Sequence, residues 1–451
     1  MTALWLPCTQ MQHLAEQPPL AIVRAQGSTL YDSDGNGYLD MISSWWVNLH
    51  GHCHPTINAK ISEQLATLEH TLLAGVVHPP IVELAERLVD ITPAPLQKVF
   101  FADSGSAAVE VALKMALQYC QQQGWTAKTK FVALAHGYHG ETLGSLSVTD
   151  VALFRAQYQP LVIEQLTTPS PGNLFAPPDM TQAAHEAHCL AHLEATLAAE
   201  HDRICALIVE PLVQGAAGMA MYSLDFLAAA VACCQRYGVL VIFDEIAVGF
   251  GRTGTMFVCQ ALQARAATLC PDFLCLSKGL TAGYLPMSCV MTTQAVYDGF
   301  YDARLERGFL HSHSFTGNPL AAAAALASLD IFANDDVLTR NQALMAHLAQ
   351  GLHALAQQHP DKIAQPRQTG MIAAFTLSAK NQATGAQAAQ ALARHSLQQG
   401  VLIRPIGAQV YLMPPYSTTV AELDTVFNVL LDGLATLPDN DLPAAQDIGL
   451  A

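Results

Sequence analysis

The sequence predicts an α/β fold, with a mostly parallel central sheet in a large domain and a smaller α+β domain after it. Three observations predict this fold. Short apolar runs recur through the middle of the 451-residue chain, helical patterns lie between several of them, and a strand pattern followed by an amphipathic helix ends the regular part of the chain. We expect residues 1–65 to be an N-terminal segment packing with the small domain, 66–325 the large domain and 326–451 the small domain.

The predicted strands of the large domain are apolar throughout, which favours burial on both faces. They are KVFFA from Lys98, KFVALA from Lys130, CALIVE from Cys205, VLVIF from Val239, FLCL from Phe273 and SCVMT from Ser288. Helical spacing predicts helices from Ser106 and from Ser223, the second ending at the stop residue Gly238. In the small domain, VLIRPIGAQVYLMPPY indicates short strands, and the last helix starts at Val420.

Composition excludes several classes of protein. A chain that is 51% hydrophobic and 13% charged is globular, and a net charge of 21 − 37 = −16 argues against a nucleic acid or an anionic membrane as partner. The eleven cysteines form no paired CxxC motif, so we expect reduced thiols in the cytoplasm. The N-terminus lacks a signal-peptide pattern, and the apolar runs are far shorter than the roughly 20 residues that span a bilayer.

Two charged residues stand at the ends of predicted strands. Lys278 follows FLCL, and a buried ammonium is costly unless it is paired, neutralised or bound covalently. Asp244 ends VLVIF, and the fold would bring it to the same edge of the sheet. A lone aspartate there usually caps a helix, but the pair suits pyridoxal phosphate, which bonds to a lysine amine and works best with a carboxylate at its ring nitrogen.

A phosphate and a ring also need binding groups at that edge. Gly105 and Ser106 begin a helix directly after a strand, and the N–H groups and dipole of a helix N-terminus favour an anion. Tyr138 and His139 follow the strand from Lys130, where an aromatic ring could stack on the pyridine. Taken singly, each feature is more often an ordinary helix start or a rim residue.

The spacing of Gly249, Gly251 and Gly254 matches the G-x-G-x-x-G motif of dinucleotide-binding proteins. In that motif the glycines leave the strand directly, whereas here Asp244 and Glu245 come first and would repel a pyrophosphate. We therefore interpret the match as accidental.

Five segments together resemble the class III, fold-type I aminotransferases. They are DSGSAAVE, GYHGET, FDEIAVGFGRTG, LSKGL and SFTGNPLAAAAALASL. The resemblance covers nearly the whole chain. It implies pyridoxal 5'-phosphate bonded to Lys278, with Asp244 at the pyridine nitrogen, Gly105 and Ser106 at the phosphate, and Tyr138 on the ring.

Three further segments, WLPCTQM, MISSWWVNLHGHCHP and VLIRPIGAQVYLMPPY, are similar to the branch of this family that serves biotin synthesis. This similarity implies 8-amino-7-oxononanoate as amino acceptor and S-adenosylmethionine as donor. It places Trp45 and Trp46 as an apolar wall and Arg404 as a carboxylate clamp. Cys8 stands where many members have an aromatic residue, Glu141 where aspartate is commoner, and Ser314 where threonine is frequent.

The same resemblance implies a homodimer with shared active sites. Ser312, His313 and Ser314 would lie near the cofactor and reach a phosphate across the dimer interface.

Two groups of histidines suggest metal ligands, but no metal site is predicted. HGHCH from His50 is short and lies in a glycine-containing loop, and HEAHCLAH from His185 misses H-E-x-x-H by one residue. We expect solvated or loop histidines in both places.

Other functions remain open at this stage. The same amino transfer could take lysine as donor, or the chain could be another class III transaminase acting on an ω-amino acid or a diamine. More distant alternatives are a nicotinamide-dependent oxidoreductase and a binding protein without catalytic activity. A yellow protein bleached by hydroxylamine would distinguish a lysine-bound cofactor from a nicotinamide.

Overall fold

The computed structural model describes residues 3–15, 18–379 and 382–437. Its strands are Ile22–Gln26 (β1), Thr29–Asp32 (β2), Gly37–Asp40 (β3), Leu96–Ala102 (β4), Lys130–Leu134 (β5), Leu166–Thr168 (β6), Ile204–Val209 (β7), Val213–Gln214 (β8), Ala220–Met221 (β9), Leu240–Asp244 (β10), Phe273–Leu276 (β11), Ser288–Thr293 (β12), Ile363–Thr369 (β13), Ile372–Leu377 (β14), Val401–Leu402 (β15) and Gln409–Leu412 (β16).

The helical segments alternate with the strands through the middle of the chain. They are the single turn Ser43–Trp46 (α1), then Pro55–Leu65 (α2), Pro79–Asp90 (α3), Gly105–Gln122 (α4), Leu143–Ser147 (α5), Ala152–Arg155 (α6), Gln182–Glu200 (α7), Leu224–Arg236 (α8), Val258–Arg265 (α9), Gln294–Phe300 (α10), Pro319–Asn334 (α11), Val337–Gln358 (α12), Gln382–Gln398 (α13) and Val420–Thr436 (α14).

The central sheet has the strand order β4-β12-β11-β10-β7-β5-β6. Neighbouring strands from β11 to β6 run parallel, and β12 runs antiparallel to both β11 and β4. The mostly parallel sheet is therefore confirmed, and all six predicted strands are present. SCVMT (β12) is the one that reverses, which apolar periodicity cannot indicate because it is the same in both directions.

The larger compact unit comprises Trp46–Asn48 and Pro55–Arg340 and contains this sheet. Its strands are apolar because helices cover them; α4, for example, packs nine buried residues of its inner face into the core cluster of the unit. The unit also includes α2, which the expected boundary at residue 65 separates from it, because α2 packs against α11.

The smaller unit contains the described residues within Met1–Trp45, Leu49–His54 and Asn341–Ala451. One of its sheets has the order β1-β2-β3-β15, so a strand from near each end of the chain pairs in parallel, with Leu39 opposite Val401. Its second sheet is β13-β14-β16.

Among the described residues, every helix is too short or too polar to span a bilayer. All eleven cysteines, which lie within those ranges, are free thiols.

Candidate active site

Lys278 and Asp244 lie at the carboxyl ends of adjacent parallel strands. Asp244 is the last residue of β10 and pairs in register with Cys275 of β11, and Lys278 follows β11 by two residues. Both line one cavity of about 210 Å³. The sequence prediction that these two side chains share the sheet edge is therefore supported by the geometry.

The amine of Lys278 lies in a setting that favours its neutral form. Burial lowers the pKa of Lys278, while the carboxylates of Asp244 and Glu210 oppose this shift. Its Nζ is 5.0 Å from the centre of the Trp46 ring. Its backbone φ is +43°, in the left-handed region, and strain of this kind concentrates at functional sites.

Asp244 is held by a buried histidine. Its Oδ2 lies 2.8 Å from Nδ1 of His139, and its Oδ1 accepts the N–H of Ile246 at 3.2 Å. His139, which the sequence analysis expects to bind the cofactor, therefore contacts and orients the carboxylate of Asp244.

The neighbouring Glu245 has a different role. Its two carboxylate oxygens accept the N–H groups of Val258 and Cys259 at 2.7 and 2.9 Å, so it caps the start of α9. Burial raises the pKa of Glu245 to about 7. Glu245 is absent from the lining of the cavity, so of these two adjacent carboxylates only Asp244 could repel a pyrophosphate there.

The glycines of the apparent dinucleotide motif form a turn between β10 and α9. Gly251 and Gly254 have φ of +89° and +101°, which only glycine adopts readily, and a Cβ on Gly249 would lie 2.8 Å from the carbonyl oxygen of Glu245. No helix begins within this turn, since α9 starts at Val258.

The N-terminus of α4 forms one side of the cavity through Ser104, Gly105 and Ser106. Ser104 is the N-cap, and its Oγ accepts the N–H of Ala107 at 3.3 Å. Sequence reasoning missed Ser104, although a serine before a glycine and an apolar helix is a recognisable N-cap signal. The Oγ of Ser106 accepts the N–H of Glu141 at 3.2 Å, which joins the cradle to the segment after β5.

Tyr138 lies at the rim of the cavity with its ring held at several points. Its hydroxyl donates to Oε1 of Glu141 at 2.8 Å, and its ring packs edge-to-face on Phe154 at 5.2 Å. Its backbone N–H donates to Oε2 of Glu210 at 2.9 Å.

Glu210 is a site residue that the sequence analysis did not select. It follows β7 directly, lines the cavity, and accepts the N–H of Gly215 at 2.9 Å in addition to that of Tyr138. Burial raises the pKa of Glu210 to about 7, against the lowering effect of His139. Its position at the end of a buried strand, like that of Asp244, was the available signal.

The two tryptophans lie on a left-handed turn. Ser43, Ser44, Trp45 and Trp46 have φ of +50°, +47°, +71° and +74°. A left-handed conformation costs about 1–2 kcal/mol for each non-glycine residue, so other contacts must hold this turn. The ring of Trp46 is 3.0 Å from where a Cβ on Gly215 would lie, which explains the small residue there.

Three of the predicted substrate residues contact one another in the smaller unit. The guanidinium carbon of Arg404 lies 4.3 Å from the centre of the Trp45 ring, and its Nη2 is 3.5 Å from the carbonyl oxygen of Cys8. In the described part of the chain, Arg404 forms no ion pair.

Ser312, His313 and Ser314 are exposed and do not line the cavity of this single chain. His313 Nδ1 lies 3.0 Å from Oδ2 of Asp103.

The histidine-rich segments gather no metal ligands: in the described ranges there is no group of three or more potential ligands. The expectation of solvated or loop histidines is wrong for His185, which is buried on α7 with Nε2 2.9 Å from the carbonyl oxygen of Ser170. The spacing of HEAHCLAH is helical, and its first histidine falls on the inner face.

The cavity fits pyridoxal phosphate. Glycines let its phosphate side pack closely: a Cβ on Gly105 would lie 3.1 Å from Ile246, and one on Gly140 would clash with Ser106. The α4 N-terminus would hold the phosphate, Asp244 the protonated ring nitrogen, and Lys278 the covalent bond. These features define a fold-type I enzyme dependent on pyridoxal phosphate.

Comparison with known proteins specifies the family. The family model "Aminotransferase class-III" matches residues 11–434. A curated relative from Helicobacter pylori, named adenosylmethionine-8-amino-7-oxononanoate aminotransferase, is 42% identical over 93% of each chain. The chain belongs to the class III aminotransferases, which are pyridoxal-phosphate enzymes.

Solved structures agree with this assignment. The crystal structure of adenosylmethionine-8-amino-7-oxononanoate aminotransferase from Methanocaldococcus jannaschii has a TM-score of 0.89 and 34% identity, covering 98% of each chain. A pyridoxal-phosphate-bound amine transaminase from an uncultivated Pseudomonas species has a TM-score of 0.89 and 31% identity, covering 96% of this chain and 99% of its own.

The side chains around the cavity can carry out the proton transfers of amino transfer. When bound, pyridoxal phosphate supplies an electron sink for the charge left when the amine-bearing carbon loses its proton. The neutral Nζ of Lys278 can accept that proton from the donor and later deliver one to the acceptor. The carboxylate of Asp244, held by His139 at 2.8 Å, would pair with the ring nitrogen of the cofactor and support its role as electron sink.

Proposed function

We propose that this aminotransferase transfers the amino group of S-adenosylmethionine to 8-amino-7-oxononanoate, giving 7,8-diaminononanoate in biotin synthesis. The observation that carries the proposal is the similarity to relatives that are named for this activity, one of them 42% identical over 93% of each chain.

Side chains of the smaller unit support 8-amino-7-oxononanoate as the proposed acceptor. Arg404 forms no ion pair with the described residues and stacks on Trp45. Such a guanidinium suits a carboxylate at the end of an apolar chain. Trp46, the next residue, adds an apolar surface at the cavity that contains Lys278. We assign Cys8 and Ser312 to the substrate site as well.

The test is to add S-adenosylmethionine, lysine or β-alanine separately to the pyridoxal-phosphate enzyme without acceptor and to follow the cofactor absorbance. Conversion by S-adenosylmethionine, followed by turnover of 8-amino-7-oxononanoate, is expected. Conversion by lysine alone would change the donor and keep the acceptor. Conversion only by β-alanine, with no turnover of 8-amino-7-oxononanoate, would instead support an ω-amino acid transaminase.

We further propose a cytoplasmic homodimer in which Ser312, His313 and Ser314 of one subunit contact the cofactor phosphate of the other. Free thiols throughout suit a reducing compartment. Leu310 and Phe315, which flank the three residues, are exposed, and exposed apolar side chains favour an interface.

Sedimentation tests the dimer. The wild type is expected at the dimer mass, and Phe315→Asp is expected to dissociate it and weaken cofactor binding. Ile163→Asp, at another exposed apolar position, is the matched control and should do neither. A monomeric wild type that binds the cofactor fully would contradict the proposal.

A further inference from the structure

The left-handed turn Ser43–Trp46 is attached to a buried carboxylate. Asp40, the last residue of β3, is fully buried. Its Oδ2 accepts the hydroxyl of Ser44 at 2.7 Å and lies 2.9 Å from Nε2 of His52. One oxygen of one carboxylate thus contacts both the middle of the turn and a histidine outside it.

Asp40 and the histidine that contacts it are each held by backbone hydrogen bonds outside the turn. β3 pairs in parallel with β15, with Asp40 opposite Leu402, so the position of the carboxylate is set by the sheet. His52 exchanges backbone hydrogen bonds with Gly27 at 2.7 and 3.1 Å, which fix its backbone independently of the turn. At the start of the turn, the hydroxyl of Ser43 donates to the carbonyl oxygen of Met413 at 2.6 Å.

The charge of Asp40 suits a residue that accepts hydrogen bonds from two partners. Burial acts to raise its pKa, but the hydrogen bonds from His52 and Ser44 outweigh it and hold the pKa of Asp40 below its ordinary value. The carboxylate is therefore ionised at neutral pH and can accept strong hydrogen bonds from both partners.

We propose that Asp40, with His52, is a positioning residue that keeps Ser43–Trp46 left-handed and thereby sets the indoles of Trp45 and Trp46 for the long-chain acceptor. No local preference of Ser-Ser-Trp-Trp favours this conformation, so the turn relaxes when its anchor is lost. Trp45 then leaves Arg404, and the enzyme loses selectivity for the acceptor. The inference about selectivity rests on the proposed function; the inference about the turn does not.

The first test measures, without any substrate, how accessible the two indoles of the turn are to a quencher. In a Trp5→Phe/Trp125→Phe background, Trp45 and Trp46 are the remaining indoles of the four in the chain. Trp45 is already 40% exposed and Trp46 only 6%, so Asp40→Asn is expected to raise acrylamide quenching of the poorly accessible fraction of the apoprotein's fluorescence at least twofold. Unchanged quenching would overturn the proposal whatever the substrate is.

The second test measures the selectivity of the enzyme for the acceptor. For each variant, kcat/KM for 8-amino-7-oxononanoate is divided by the rate of the donor half-reaction measured without acceptor. Asp40→Asn is expected to lower this ratio at least tenfold, mainly through KM. If the wild type turns over 8-amino-7-oxononanoate and the ratio is unchanged in Asp40→Asn, the positioning role is contradicted. If the wild type shows no turnover, the proposed function is contradicted, and the quenching result alone decides whether Asp40 holds the turn.

Controls separate positioning from folding. Asp32 also holds a hairpin turn, through Asn36 and Tyr38, but does not contact Ser43–Trp46, so Asp32→Asn should change neither readout. Ser44→Ala removes the hydrogen bond between the turn and Asp40, and it replaces Asp40→Asn in both tests if that variant does not fold. Adding Ser44→Gly to Asp40→Asn should restore at least half of the selectivity ratio that Asp40→Asn loses, because glycine adopts the left-handed region readily. If the ratio is not restored, the proposal that Asp40 acts by keeping the turn left-handed is contradicted.

Discussion

Asp244 and Glu245 are adjacent carboxylates that can be separated by experiment. Asp244→Asn keeps the size of the side chain but loses the charge at the ring nitrogen, which is expected to cost on the order of 3 kcal/mol in the proton-transfer step, or roughly a hundredfold in rate. Glu245→Gln is the matched control: it loses one capping bond, which costs about 1–3 kcal/mol of unfolding free energy, and should keep the rate. Single-turnover rates and thermal unfolding distinguish them, and similar rate losses in both variants would contradict the assignment.

Glu210 is expected to make the stability of the apoprotein depend on pH. Its pKa is raised from 4.5 to about 7 in the folded chain, so the folded state binds the proton more tightly than the unfolded state. Wild-type stability should therefore fall, relative to Glu210→Gln, as the pH rises from about 4.5 to about 7, by at most about 3 kcal/mol. Urea unfolding across this range measures the difference, and parallel curves for the two proteins would refute it.

At the residue scale, the sequence predicted Lys278 and Asp244 because two charged residues at the ends of apolar strands require a common partner. Glu210 has the same position after β7 but was missed, because a glutamate bonded to backbone N–H groups belongs to no sequence motif. The division of work between Asp244 and Glu245 also depends on a distant element, α9, which the sequence does not place.

At the scale of elements, the N-terminus of α4 should bind the phosphate and not merely end a helix. Ser104→Ala and the matched Ser223→Ala, at the N-cap of α8, are each expected to lower stability by about 1 kcal/mol. Only Ser104→Ala should also weaken pyridoxal-phosphate binding several-fold, because Ser223 does not line the cavity. Titration of the apoprotein with the cofactor measures this, and equal affinities in the two variants would exclude Ser104 from the phosphate site.

Elements differ in how far their sequence determines them. The long helices and buried strands were predicted because apolar spacing and N-cap serines act locally. The reversal of β12 and the left-handed turn at Ser43–Trp46 were not. The first depends on strand pairing, and the second depends on hydrogen bonds to Asp40 and Met413.

At the scale of the molecule, the alternation of strands and helices predicted the α/β fold, and the joint spacing of five motifs predicted the family. The extent of the compact units was less accessible to sequence reasoning. Residues Pro55–Arg340 hold together through contacts such as that of α2 with α11, which are far apart in the chain.

The central claim is that Lys278 carries pyridoxal phosphate at the carboxyl edge of the sheet. Borohydride reduction of the purified enzyme, followed by proteolysis and mass spectrometry, tests it most directly. The account predicts a pyridoxyl group on the peptide that contains Lys278 and none in Lys278→Ala, which should fold and be inactive. A pyridoxyl group on another lysine, or full activity of Lys278→Ala, would contradict it.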